Sequence, residues 1–261
     1  MTIKVLQPGL LTTIQDCGRR GFQMLGVNVG GAMDTVSHRI ANILVGNDER
    51  EATIEITLKG PTLLFEESSL IAICGGNLSP EIDGIAVPMW RPVLVKKQSV
   101  LRFGKCVAGC RAYLAHAGEM NLPSVLGSKS VNLRAGFGGL EGRQLQPDDM
   151  IHYRKPGLLS ARILNSLEQS LDKRPFAATN WSAGSFSAGI VKHQKIATAL
   201  RIVRGTHFDK LSDESKGIFL HETFRVSSAS DRMGYRLEGE RLKLNKTSEL
   251  LSEPVQSGTI Q

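Results

Sequence analysis

Apolar and polar residues alternate in short runs along most of this chain, and only a few stretches carry helical spacing. Residues 3 to 6 read as a strand. From Ile54 the apolar positions Ile54, Ile56 and Leu58 alternate with Thr53, Glu55 and Thr57, the pattern of a half-buried strand. "PEIDGIAVP" sets Asp83 and Gly84 between short apolar arms, a hairpin signal. "SVLRF", "CRAYLAHAG" and "DMIHY" continue the strand pattern to the middle of the chain. Helical spacing first occurs after Asp34, where Val36, Ile40, Ile43 and Leu44 fall on one face and Gly46-Asn47 supplies a stop. Asp34 is placed to cap that helix. A second helix is predicted from Ile163, Leu164, Leu167 and Leu171, and a third is short, capped by Ser212 or Asp213, and leads to another strand. "QPGLLTTIQDCGRRGFQ" and the Ser/Ala/Gly-rich "RPFAATNWSAGSFSAGIV" read as connections, and Ala199 to Gly205 as a strand opening the second half. The prediction is a mainly β chain with a few helices.

Composition supports this and narrows the chemistry. The chain has 261 residues, 27 of them glycine and 10 proline, which suits a strand-rich, turn-rich fold with one large core or two modest ones. Its formal charge of +7 is spread without a basic block, so no nucleic-acid footprint is expected, whereas an anionic small molecule or an acidic partner is compatible. No apolar stretch reaches membrane-spanning length and no signal peptide is evident, so a cytoplasmic protein is expected. Cys17, Cys74, Cys106 and Cys110 read as buried reduced thiols; Cys106 and Cys110 lack the second Cys/His pair of a zinc finger, and no metal site is expected from them. His116, in an apolar run, reads as a core histidine.

Two loops carry candidate chemistry. Asp16, Arg19 and Arg20 stand together between glycines, either as a solvated ion pair or as an anion clamp built on the planar arginine fork. The cluster "VNLRAGFGGLEGRQLQPDD" holds Gly136, Gly138, Gly139 and Gly142. It lacks the Gly-x-Gly-x-x-Gly register of a dinucleotide site, and no Walker-type string occurs in the chain. Either a flexible turn or a backbone nest holding an anion, backed by Arg134 and Arg143, fits this cluster. A weak internal repeat relates "VGGAMDTVSHR" (Val29 to Arg39) to "VSSASDRMGYR" (Val226 to Arg236), with Val, Ala, Asp and Arg at the same relative positions.

"PGLLTTIQDCGRRGFQ", "GGAMDTVSHRIANILVGN", "EITLKGPTLLF", "LRAGFGGLEGR" and "SDRMGYRLEG" together resemble the KipA family, also described as the C subunit of bacterial 5-oxoprolinase and as the biotin-dependent carboxyltransferase family of urea amidolyase. The resemblance spans residues 3 to 261. It implies two cyclophilin-like β-barrel modules, one over 1–155 and one over 198–261, joined by a helical, Ser/Ala/Gly-rich connection over 156–197. Relatives continue past "GTIQ", which implies that the second module lacks its C-terminal part here. Glu119 stands where relatives carry glycine. The implied function is ATP-dependent cleavage of 5-oxo-L-proline to L-glutamate, with ATP and Mg²⁺ acting in a complex that also holds a KipI-like B subunit and the A subunit of 5-oxoprolinase. The alternatives are an antagonist of a KipI-type kinase inhibitor, or a carboxyltransferase component of a urea amidolyase-like enzyme. The carboxylate candidates are Asp34 and Asp231, Asp34 being equally explained as a helix cap. Arg19, Gly138, Gly139, Arg143, Arg232 and Arg236 are the substrate- or phosphate-binding candidates.

Overall fold

The computed structural model describes residues 1–184, 200–246, 255–256 and 258–261. It divides into two compact units, Met1–Gln194 and Lys195–Gln261.

The described residues of the first unit form two six-stranded antiparallel sheets and two helices. In the first sheet the order is β11 (Met150–His152), β1 (Thr2–Gln7), β4 (Thr62–Phe65), β9 (Val100–Phe103), β6 (Pro80–Ile82) and β7 (Ile85–Ala86). The second runs β12 (Phe176–Ala178), β8 (Val93–Val95), β5 (Ser69–Asn77), β10 (Ala108–His116), β3 (Thr53–Thr57) and β2 (Leu11–Gln15). Strand alternation sends Ile3, Val5, Leu63, Phe65 and Leu101 of the first sheet, and Ile54, Ile56, Ile71, Ile73 and Leu114 of the second, into one shared core. The second sheet is buried on its other face too. There Leu70, Ala72, Leu94 and Tyr113 pack with Ala41, Leu44 and Val45 of the α1 (Thr35–Leu44) region and with Leu167 of α2 (Leu158–Glu168). Sheet, sheet and helices thus form three layers. A mainly β chain with a few helices is what the pattern predicted, and no ring of strands closes among the described residues.

The Asp83-Gly84 signal is a hairpin turn joining β6 to β7, with positive φ at both residues (48° and 79°). Several local expectations need correction. Leu11–Gln15, read as part of a connection, is β2, and Phe176–Ala178 within the Ser/Ala/Gly-rich stretch is β12. Both β12 and α2 fall inside the first unit, which runs to Gln194. β3 is buried on both faces, because Thr53 and Glu55 lie under other polar groups instead of facing water. Only Cys74 of the four free thiols is buried; Cys106 is exposed, and Cys17 and Cys110 are half-buried. His116 is a core histidine, stacked on Tyr153 with ring centres 3.9 Å apart.

The second unit's described residues hold α3 (Asp213–His221) and a hairpin of β13 (Arg225–Val226) with β14 (Leu237–Glu238). Ser212 caps α3 by accepting from Ser215 N. Of the strand expected over Ala199 to Gly205, residue 199 lies outside the described residues and 200–205 form no strand. Among the described residues no helix is long and apolar enough to cross a membrane.

Candidate functional site

In the first unit the polar constellation gathers where the loop before α1 meets the loop of residues 125–142. Gly30 and Gly31, with φ of 64° and 87°, turn the chain into α1. Asp34 caps the helix: Oδ1 accepts from Ser37 N at 3.0 Å and Oδ2 from Ser37 Oγ at 2.5 Å. The turn is fastened to the sheet below. Asp34 N donates to Tyr113 Oη (2.7 Å), which donates to Glu55 Oε2 (2.8 Å), and Met33 N donates to the same oxygen (3.0 Å). Arg111 Nε lies 3.7 Å from Glu55 Oε1. Burial raises the Tyr113 hydroxyl pKa, so it stays protonated and able to donate. His38, fully buried on the first turns of α1, places Nδ1 2.8 Å from Thr53 Oγ1. Burial draws its pKa down to about 4, so the ring is neutral at pH 7.

The second loop is stapled to the first by Asp16. Its Oδ1 accepts from Gly18 N (2.7 Å), Ser128 Oγ (2.6 Å) and Ser130 Oγ (2.5 Å), and its Oδ2 from Lys129 N (2.6 Å). Arg19, 1% exposed, donates to the Ser130 and Val125 carbonyls and lies 4.8 Å from the centre of the Phe137 ring. It is neither the solvated ion pair nor the open clamp of the two sequence readings; it is a buried cation inside the loop junction. Gly138 and Gly139, with positive φ, press against Ser130 and Val131, where a side chain on Gly138 would strike the Ser130 carbonyl. Gly138 borders Arg19 Nη2, and Gly30 lies over Arg19 Nη1. The structure therefore brings Arg19, Gly138, Gly139 and the turn leading to Asp34 together.

Arg143 is held apart from this group. It forms a two-pronged pair with Asp149 (2.8 Å to each oxygen) and a third contact to Glu141 (2.8 Å), which together raise its pKa. A phosphate would have to displace two carboxylates to reach it. Glu119 pairs with Lys129 (3.0 Å) and Arg154 (2.9 Å), and Lys129 also binds Glu51 (2.9 Å). Glu119 is thus part of a charged clasp beneath the same loop.

In the second unit, Asp231, Arg232 and Arg236 occupy the loop between β13 and β14. Asp231 Oδ1 accepts from Met233 N (2.7 Å) and Gly234 N (3.2 Å), and Arg236 N donates to Ser230 Oγ (2.9 Å). Asp231 and Arg236 are exposed; Arg232 is half-buried, and burial draws its guanidinium down to about 10. Asp34 and Asp231, matched in the repeat, both bind backbone N–H groups further along, but one opens a helix and the other closes a hairpin loop. Among the described residues no three His, Cys, Asp or Glu side chains gather as a metal site.

Sequence could not single out Glu55, Tyr113, Ser128, Ser130 or Lys129, which sit in ordinary strand and loop strings. The one signal for them was a carboxylate, Glu55, in a strand otherwise apolar or hydroxylic.

Two stacked antiparallel sheets with a helical layer carry the capped helix and the glycine-rich rim, and the architecture matches that of carboxyltransferase domains. The family described as carboxyltransferase domain, subdomain A and B, matches residues 25–261, and the chain belongs to it. Over 260 residues the chain is 35% identical to the C subunit of 5-oxoprolinase from Escherichia coli (strain K12), covering 99% of this chain and 76% of that protein. It is also 35% identical to urea amidolyase of Saccharomyces cerevisiae, over 92% of this chain but 12% of that enzyme. Among solved structures, the Kluyveromyces lactis urea carboxylase matches with a TM-score of 0.76 at 31% identity, covering 94% of this chain and 21% of that one. The chain spans about three quarters of the bacterial protein and a small part of the yeast enzymes.

Proposed function

We propose that this chain serves as the C subunit of an ATP-dependent 5-oxoprolinase, opening 5-oxo-L-proline to L-glutamate in the cytoplasm with A and B subunits as partners, the latter KipI-like. The observation that carries this reading is coverage: the likeness to the 5-oxoprolinase C subunit takes in nearly all of this chain and most of the relative. The likeness to urea amidolyase, equal in identity, takes in only a fraction of a much longer enzyme. A carboxyltransferase role is the second reading, favoured by the fold match to urea carboxylase.

The chemistry asks for activation, because a five-membered lactam resists water. ATP would supply a phosphoryl group to the lactam carbonyl oxygen, releasing ADP. One water adds at that carbon and the C–N bond breaks as the nitrogen takes up a proton, leaving an acyl phosphate, and a second water cleaves that acyl phosphate to the carboxylate and inorganic phosphate. This chain's part in the proposal is proton handling and anion positioning. Asp34 is the better placed carboxylate of the first unit, half-exposed at the rim and held in orientation by Ser37. Arg19, Gly138 and Gly139 shape that rim, and Asp231, Arg232 and Arg236 supply the second unit's carboxylate and cations. Arg143 acts as a clamp of the loop, given its pairs with Asp149 and Glu141. The test is ATP hydrolysis by the reconstituted complex, with 5-oxoproline or with urea and bicarbonate. Turnover driven by 5-oxoproline is expected; turnover driven only by urea and bicarbonate favours the second reading, and assembly without turnover favours an antagonist.

A further inference from the structure

On the outer face of the first sheet, four polar side chains stand in a row at right angles to the strands. Gln7 of β1, past a register shift that follows the buried Val5, is paired with Thr62 of β4 and is exposed. The register Leu63↔Leu101 and Leu64↔Val100 sets Thr62 opposite Arg102 of β9, and Arg102 is paired with Glu81 of β6. Their neighbours Leu63, Leu101 and Ile82 are fully buried in the core, so strand alternation turns Thr62, Arg102 and Glu81 outward. With Leu6 and Phe103 the four line a groove of about 410 Å³, a volume in the range of small-molecule sites.

The row is chemically unspent. Opposite charges directly across an antiparallel pair ordinarily bind each other. Here neither Glu81 nor Arg102 makes an ion pair or side-chain hydrogen bond with any described residue, and neither do the side chains of Thr62 and Gln7. Elsewhere on the same face Lys4 is paired with Asp148 at 2.8 Å, so the face is not simply too wet to hold a pair. A free guanidinium beside a free carboxylate, with strands about 4.8 Å apart, matches a ligand that carries a carboxylate and an ammonium on one carbon. The hydroxyl of Thr62 and the amide of Gln7 continue the row, one and two strands further from Arg102.

We propose that this groove binds a free α-amino acid with a polar side chain of glutamate or glutamine length. Arg102 takes the α-carboxylate through its two-pronged donors, and Glu81 accepts from the α-ammonium. The side chain runs toward Thr62 and Gln7, whose neutral donors suit an amide or carboxylate end. Glu81 selects against molecules that lack the ammonium, among them N-acylated amino acids and lactams.

Calorimetric titration of the full chain alone, without its partners or ATP, tests this independently of the function proposed above. The probes are L-glutamate and L-glutamine, with N-acetyl-L-glutamate and 5-oxo-L-proline as controls. Saturable one-site binding of glutamate or glutamine is expected, with both controls weaker by roughly tenfold or more, about 1.4 kcal/mol. Arg102→Gln and Glu81→Gln lie at the surface, and each is expected to weaken binding by a similar factor. Absence of saturable binding at millimolar concentration overturns the proposal, as does binding that both variants leave unchanged.

Discussion

His38 and Asp34 lie one helical turn apart, and burial treats them oppositely. Asp34 keeps a half-exposed carboxylate, whereas His38 is sealed and held neutral with its pKa drawn down to about 4. His116 is sealed likewise and drawn down to about 3. In the unfolded chain both titrate near 6.5. Between that value and the folded one, the unfolded state binds more protons, so stability is full above about pH 6.5 and falls as pH drops through the window. For His38 alone the loss is on the order of 3 kcal/mol by pH 4. Denaturant midpoints measured from pH 7.5 down to 4.5 are expected to fall, and His38→Gln to flatten part of that slope. Asp34 poses a different question, because its cap and its proposed proton-handling role use the same oxygens. Asp34→Asn keeps an acceptor for Ser37 N and removes the charge, so stability is expected to change by less than about 1 kcal/mol. Glutamate production by the complex is expected to fall at least a hundredfold. Unchanged production would leave Asp34 as a cap alone.

Elements were legible where one physical rule governed them. α1 was readable from its capping aspartate and helical spacing, but the predicted face was not the one that packs: Val36 and Ile43 are exposed, and Ser37, His38, Ala41, Asn42 and Leu44 are buried. The β6–β7 hairpin was readable because Asp-Gly suits positive φ. β2 was hidden because Thr12, Thr13 and Gln15 are polar yet buried, Thr12 donating to Pro8 O and the Gln15 amide nitrogen to Thr13 Oγ1 and Val131 O. The same inversion misplaced Glu55: a carboxylate on an alternating strand reads as solvent-facing, and only the fold reveals Tyr113 and Met33 above it. Arg19 shows the limit for the site, since no sequence pattern distinguishes an arginine that binds a ligand from one that ties its own loop to the carbonyls of another. The glycine cluster can be tested at this scale. Gly136 and Gly138 both have positive φ, but a side chain on Gly136 meets open space, whereas one on Gly138 meets the Ser130 carbonyl. Gly136→Ala is expected to cost about 1 kcal/mol, and Gly138→Ala about 3 kcal/mol or more. Equilibrium unfolding of the two variants measures the difference, and equal losses would remove the proposed loop contact.

At the scale of the whole molecule, the first unit carries a full three-layer core, and the second carries a helix and a hairpin with an Asp/Arg loop among its described residues. The repeat that links Asp34 to Asp231 gives both units an aspartate bound to backbone N–H groups, on different local scaffolds. The chain is similar both to a 5-oxoprolinase subunit and to urea amidolyase, and these relatives stand behind the two proposed readings, lactam opening and carboxyl transfer. Net positive charge on the chain suits either. What separates them is the substrate, and whether this chain is needed for turnover. The most direct measurement is an add-back assay: the A and B subunits are incubated with ATP, Mg²⁺ and labelled 5-oxo-L-proline, with and without this chain, and labelled L-glutamate and ADP are quantified. Glutamate and ADP formed together, only when the chain is present, is the predicted result; glutamate formed at the same rate without it, or none formed with all three present, would contradict the account.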